Sequence, residues 1–189
     1  MDRTDLARTV HRASYLTGRF VLRSGAISDR YFDKYLFESD PKLLAAIGDA
    51  LAPAVPEGTD ALAGLETGGI PLAVILGQRT QLPTLFVRKE AKTYGTCKLA
   101  EGGEVDGRRL LIIEDVVTSG GQLLASARDL RDRGAICEDA LCVIDREAGG
   151  AAALAEAGIR LHALFTMSDL VAAGDAARSE AATGDDDVA

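Results

Sequence analysis

Short apolar runs that alternate with helix-spaced segments predict an α/β chain built on a doubly wound, mostly parallel sheet, with a small N-terminal hood of short strands. Three observations support that class. "ALAGL", "RRLLIIED" and "ALCVID" are apolar nearly throughout, as strands buried on both faces of a parallel sheet must be. Between them, "IPLAVILGQRT" and "QLLASARDLRDRG" repeat apolar residues at helical spacing, as helices packed along one side do. "GRFVLRSGAISDRYFDKYLF" instead alternates bulky and polar residues about Ser24 and Gly25, the pattern of short strands joined by a turn.

The elements follow in order. Leu6, Val10 and Ala13 stand at helical spacing and predict a helix over residues 2–15. The alternating stretch comes next, and the hood is assigned largely to residues 1–38. "SDPKLLAAIGDALAPAV" opens on Ser39 or Asp40 as a helix cap with Pro41 in the first turn, and Pro53 and Pro56 stop it. Then come the strand "ALAGL", the turn "ETGG", a helix and the strand "PTLFVR". The stretch "TYGTCKLAEGGEVDG" is long, polar and glycine-rich, as functional lids often are. "RRLLIIED", the turn "VVTSGG", a second helix, "ALCVID" and a last strand "IRLHALF" complete a single domain over residues 1–171. Residues 172–189, ending "TGDDDVA", are expected to form an acidic tail without order.

Composition narrows the function. The 189 residues, 47% hydrophobic, suffice for one real core. No apolar run approaches the roughly 18 residues of a membrane span, and "MDRTDLARTV" lacks a basic region followed by an apolar one. A soluble, cytoplasmic protein with no membrane partner is expected. Cys97, Cys137 and Cys142 form no CxxC pair, and His11 and His162 are the only histidines, which argues against a zinc site or a disulfide framework. A net charge of -8 argues against nucleic-acid binding, so an anionic ligand must be held by local charge. The acidic end reads either as a solvated tail or as adaptation to high salt.

The chemistry concentrates in "LLIIEDVVTSGGQ". In a parallel sheet, ligands gather beyond the carboxyl ends of the strands. Glu114 and Asp115 stand at such an end, and the glycines after Thr118 and Ser119 let successive N–H groups and the next helix terminus converge on one point. That point suits a phosphate. Two carboxylates beside it would repel the anion unless they serve another group, and the vicinal diol of a ribose is such a group. The stretch therefore reads as a ribose-5-phosphate clamp, against the plainer reading of solvated acids at a strand end.

This stretch resembles the phosphoribosyl-pyrophosphate motif of the type I phosphoribosyltransferases. "FVLRSGAISDRYFD", "ETGG", "RKEAKTYG" and "DREAGG" are, in the same order, similar to the orotate phosphoribosyltransferase family within it. The resemblance implies the type I phosphoribosyltransferase fold. It also implies transfer of a phosphoribosyl group from phosphoribosyl pyrophosphate (PRPP) to N1 of orotate, giving orotidine 5'-monophosphate in pyrimidine biosynthesis. Glu114 and Asp115 would hold the ribose hydroxyls, with Val116, Val117, Thr118, Ser119, Gly120 and Gly121 around the 5-phosphate. Thr67, Gly68 and Gly69 would meet pyrophosphate, although "ETGG" read alone is equally a plain turn. Arg88, Lys89 and Lys92, otherwise a run of solvated cations, would neutralise the leaving group. Lys92 would be the loop lysine donated across a homodimer with shared active sites, and Arg23 would contact diphosphate or base.

For orotate, Arg146 would fork onto the carboxylate, Tyr31 and Phe32 would meet the ring, and Thr118 would add a polar contact. Mg2+ would be bound mainly through PRPP and water. Two departures stand out. Tyr94 occupies a place where relatives carry histidine, which puts proton transfer there in doubt, and Arg23 replaces a usual lysine. The rival readings are a purine phosphoribosyltransferase, which would not need "DREAGG", and a non-catalytic PRPP-sensing regulator, which would need a DNA-binding element.

Overall fold

The computed structural model describes residues 1–21, 25–90 and 98–184. Arg23, Ser24, Lys92, Tyr94 and Cys97 lie outside them. The first helix, α1 (Arg3–Ser14), is capped by Asp2, whose carboxylate accepts the Asp5 N–H at 2.8 Å. It buries Leu6, Ala7 and Val10. Strands β1 (Tyr15–Val21) and β2 (Ile27–Phe32) then pair antiparallel as a separate two-stranded sheet, the hood.

The chain departs from the sequence reading after Phe32. Residues 35–37, included in the alternating stretch, are helical: α2 runs Tyr35–Ser39. Asp33 starts that turn by accepting the Tyr35 N–H at 3.1 Å. Helical spacing then sends Phe37 and Glu38 inward together, and Phe37 is wholly buried. Helix α3 (Pro41–Leu51) begins as expected, with Asp40 accepting from Lys42 and Leu43 and with Pro41 at the first position.

The main sheet contains β3 (Ala61–Leu65), β4 (Thr84–Val87), β5 (Ala100–Glu101), β6 (Arg109–Val117), β7 (Ile136–Asp145) and β8 (Arg160–Thr166), in the order β5-β4-β3-β6-β7-β8. All neighbours are parallel except β4 and β5. Part of the expected lid is therefore an edge strand. Helices α4 (Gly69–Thr80), α5 (Gly121–Arg131) and α6 (Gly150–Glu156) connect the parallel strands. Alternate residues of β3 and β6 enter two cores. Ala61, Ala63, Leu110 and Ile112 join the side covered by α5 and α6, while Leu62, Leu111 and Ile113 face α1, α3 and α4. Burial on both faces explains why these strands read as continuous apolar runs.

Residues 172–184, expected to lack order, belong instead to α7 (Met167–Gly184). Tertiary contacts hold this helix on α1. Arg3 pairs with Asp169 at 3.0 Å and Arg8 with Glu180 at 2.7 Å, and the Gly174 backbone packs against the His11 ring so closely that a Cβ there would lie 2.3 Å from it.

Candidate functional site

After β3 the chain moves to one side of the sheet, to β4, and after β6 it moves to the other, to β7. The carboxyl ends of β3 and β6 therefore flank the point where the winding reverses, and a crevice opens there in any sheet of this type. Here it is a cleft of about 640 Å³. Neither α1 nor α3 lines it, and both begin on aspartate caps, whereas α4 and α5 begin on Gly68 and Gly120 with no side-chain cap. Uncapped first-turn N–H groups are free to bind an anion, with the helix dipole behind them. Gly120 adopts φ +78°, a left-handed turn that suits glycine and aims the α5 terminus.

Most of the residues expected at the site line this cleft. Tyr31 and Phe32 form one wall, and Thr67 and Lys89 another. Glu114, Val116, Val117, Thr118, Ser119, Gly120 and Gly121 form the floor, and Arg146 closes the side next to them. Gly68, Gly69, Arg88 and Asp115 do not line it. Gly68 and Gly69 face inward: a Cβ on Gly68 would come 1.6 Å from Asp115 Oδ2, and one on Gly69 would come 2.2 Å from the Ile113 carbonyl oxygen. Arg88 turns toward Glu101 on β5, 3.8 Å away. Lys89 is positioned by its backbone N–H, which donates to Glu66 at 2.9 Å.

Arg146 begins the turn after β7, and its N–H donates to the Val117 carbonyl at 2.9 Å. The next residue, Glu147, is fixed from two sides. Its N–H donates to Asp145 at 2.9 Å, and its carboxylate accepts the Ser168 N–H at 2.9 Å at the start of α7. A Cβ on Gly150 would fall 2.4 Å from the Thr118 carbonyl, so the Arg146 turn and the Thr118 turn are packed together. The two ends of the cleft are held as one unit.

Sequence reasoning missed Asp33, Lys34, Tyr35, Glu66, Gln122 and Leu123 in the lining, and Glu38 behind it. Lys34 and Glu38 stand four positions apart, so reading a helix there would have put them on one face. Lys34 Nζ lies 2.5 Å from Oδ2 of Asp115, whose side chain is 0% exposed. Glu38 is 8% exposed. Burial, with the hydrogen bond and charge of Asp115 behind it, raises the Glu38 carboxyl to about 8 and that of Glu114 to about 9. Burial also pushes Asp115 upward, but hydrogen bonds from Glu114, Glu38 and Lys34 outweigh it and hold Asp115 below the ordinary carboxylate range. The cluster thus combines an Asp115–Lys34 ion pair with two carboxyls, Glu38 and Glu114, pushed toward their neutral forms.

The comparisons with known proteins agree with this geometry. The family model described as "Phosphoribosyl transferase domain" matches residues 37–157, and the chain belongs to that family. A protein of Nocardioides is 47% identical over 171 residues, covering 90% of this chain and 96% of its own, and one of Halobacterium salinarum is 44% identical over 154 residues, covering 82% and 87%. Both are orotate phosphoribosyltransferases, and it is to the orotate phosphoribosyltransferases within the family that this chain belongs. Among solved structures, the Mycobacterium tuberculosis orotate phosphoribosyltransferase in complex with PRPP superposes with a TM-score of 0.77 at 29% identity, covering 90% of this chain and 99% of that one. The same enzyme with Fe(III) dicitrate gives a TM-score of 0.80 at 31% identity, with the same coverage.

Proposed function

We infer that the chain transfers the phosphoribosyl group of PRPP to N1 of orotate, releasing pyrophosphate. One observation carries the reading: a single switch-point cleft holds the uncapped α5 terminus, Thr67 of the turn into α4, the Glu114 carboxyl, and an arginine beside two aromatic residues. The uncapped α5 terminus and the turn Val116–Gly121 suit the 5-phosphate, and Glu114 beside it suits the ribose hydroxyls. Asp115, one residue on, supports that function from behind the wall. Thr67, in the turn into α4, suits pyrophosphate. Arg146 can fork onto the orotate carboxylate while Tyr31 and Phe32 meet the ring edge and face, with Thr118 nearby.

As the bond from C1 to pyrophosphate lengthens, its electron pair leaves with pyrophosphate and C1 gains cationic character. The N1 lone pair then closes the new bond. The chain contributes alignment and cations near the leaving group. Lys89, together with Arg23 and Lys92 from outside the described residues, supplies those cations. Lys92 is donated by the neighbouring subunit in a homodimer that works in the cytoplasm.

A magnesium ion fits this site on one count. Glu114, which lines the cleft, would offer one hard oxygen once its carboxyl gave up the proton that burial favours, while the described residues include no group of three side chains placed to hold a metal ion together. The ion would arrive with PRPP, keep mostly substrate and water ligands, and draw charge from the departing diphosphate. The reading is tested by following the loss of orotate absorbance with PRPP and magnesium, at low and high salt. Consumption is expected in at least one condition, and none in either would overturn the assignment.

A further inference from the structure

We propose that Lys34 is a positioning residue for phosphoribosyl transfer: from the wall of the cleft it pins the buried Asp115 carboxylate, and through Asp115 it sets Glu114 and the strand end that meet the ribose. The inference rests on the ribose clamp described above and adds a residue to it.

Four sides of Asp115 are occupied. Lys34 Nζ is 2.5 Å from Oδ2, and the Val116 N–H donates to Oδ1 at 2.5 Å. Glu38 on α2 approaches from behind, with its largely buried carboxyl hydrogen-bonded to Asp115. The Gly68 backbone closes the remaining side, with no room for a Cβ between it and Oδ2 or Glu38 Oε1. Such a carboxylate cannot reach the cleft without displacing its neighbours, so its influence must pass through what it holds. It holds two things. One is the end of β6, whose next residues are Val116 and the phosphate turn. The other is Lys34, which follows Tyr31, Phe32 and Asp33 in the cleft wall. Lys34 thus joins the base side of the cleft to its ribose side through one ion pair.

Charge balance indicates what the lysine does. Glu38, Glu114 and Asp115 are three carboxyl groups in a largely buried cluster, and among the described residues Lys34 is the cation paired with Asp115. Without it, an isolated carboxylate in that position would be strongly disfavoured. Asp115 would then take up a proton or turn away, and the ribose wall would lose its shape. Asp33 adds a further negative charge near Glu38 and would worsen the imbalance.

The test compares Lys34→Met, Lys34→Arg, Asp115→Asn and the double variant Lys34→Met/Asp115→Asn. PRPP affinity is read by calorimetry, kcat and KM with orotate, and folding by thermal melts. Lys34→Met should weaken PRPP binding by about 30-fold or more. Lys34→Arg should recover most of the loss. The double variant should be no worse than Asp115→Asn, because the lysine acts through the aspartate. PRPP affinity within about twofold of wild type in Lys34→Met, or losses that add in the double variant, would overturn the proposal. If Lys34→Met does not fold, the comparison of Asp115→Asn with the double variant decides it, since neither leaves an unpaired buried carboxylate. Wild type that binds PRPP but does not consume orotate would refute the assigned reaction while leaving the calorimetric test of Lys34 intact.

Discussion

The turns after β3 and β6 look alike in sequence: each ends in paired glycines, and each opens a helix with no side-chain cap. Their glycines do different physical work. Gly68 has an ordinary helical backbone, φ -70°, and Gly68 and Gly69 are small because Asp115 and Ile113 of the adjacent strand occupy the space a side chain would need. Gly120 is required by its φ of +78°, and a Cβ on Gly121 would find nothing closer than 3.8 Å. One pair interlocks two strand ends. The other frees the backbone to meet a ligand.

Alanine substitutions should separate the two roles. Gly69→Ala carries the largest effect, because a fixed backbone oxygen of β6 stands in the way. A loss of about 3 kcal/mol or more in urea unfolding is expected, and a loss below about 1 kcal/mol would show that the turn yields easily. Gly68→Ala meets carboxylate ends rather than backbone, so activity should suffer more than folding. A fall in kcat/KM for PRPP by about two orders of magnitude follows if Asp115 is displaced, and unchanged kinetics would mean the interlock does not support the site. Gly120→Ala should cost about 1–2 kcal/mol for the left-handed backbone, whereas Gly121→Ala should leave stability within about 1 kcal/mol of wild type. Equal costs at the two positions would erase the distinction drawn for the second turn.

The smallest expected effect is a pH dependence from Glu38 of α2, which packs behind the first turn. Glu38 has its carboxyl raised from 4.5 to about 8, so between those values the folded chain keeps a proton that the unfolded chain releases. Its contribution to stability is therefore complete below about 4.5 and is lost as pH rises toward 8. The Tm of Glu38→Gln, taken relative to wild type, should climb across that window by a few degrees at about 1 kcal/mol. A constant difference would show that Glu38 is not held protonated.

Much of the fold could be read from residues because burial leaves a pattern. β3, β6 and β7 bury both faces and so appear as apolar runs, and their carboxyl ends located Thr67, Glu114, the turn to Gly121 and Arg146 before any coordinates did. Two elements escaped for opposite reasons. In α2 the bulky residues Tyr35, Leu36 and Phe37 look like strand, and the local bond from Asp33 together with the burial of Phe37 decides otherwise. In α7 the acidic, alanine-rich sequence looks unfolded, and contacts from α1, remote in the chain, order it. The same remoteness hid Lys34. Nothing near Lys34 in sequence announces Asp115, and only the folded chain brings the start of α2 to the end of β6.

The reversal of winding at β3 and β6 also constrains the order in which the molecule can assemble. The hood hairpin pairs residues close in the chain, such as Val21 with Ile27, and its loop closes cheaply. Ala61 and Leu110, paired across β3 and β6, stand about fifty positions apart, and contacts at that separation slow folding because chain entropy is spent before they form. The two halves of the cleft meet only once this distant pairing exists, so a chain still emerging during synthesis can form its hood and its first helices while having nothing with which to hold PRPP. Pulse-labelled hydrogen exchange should accordingly show protection of β3 and β6 appearing together, and ligand-dependent protection no earlier.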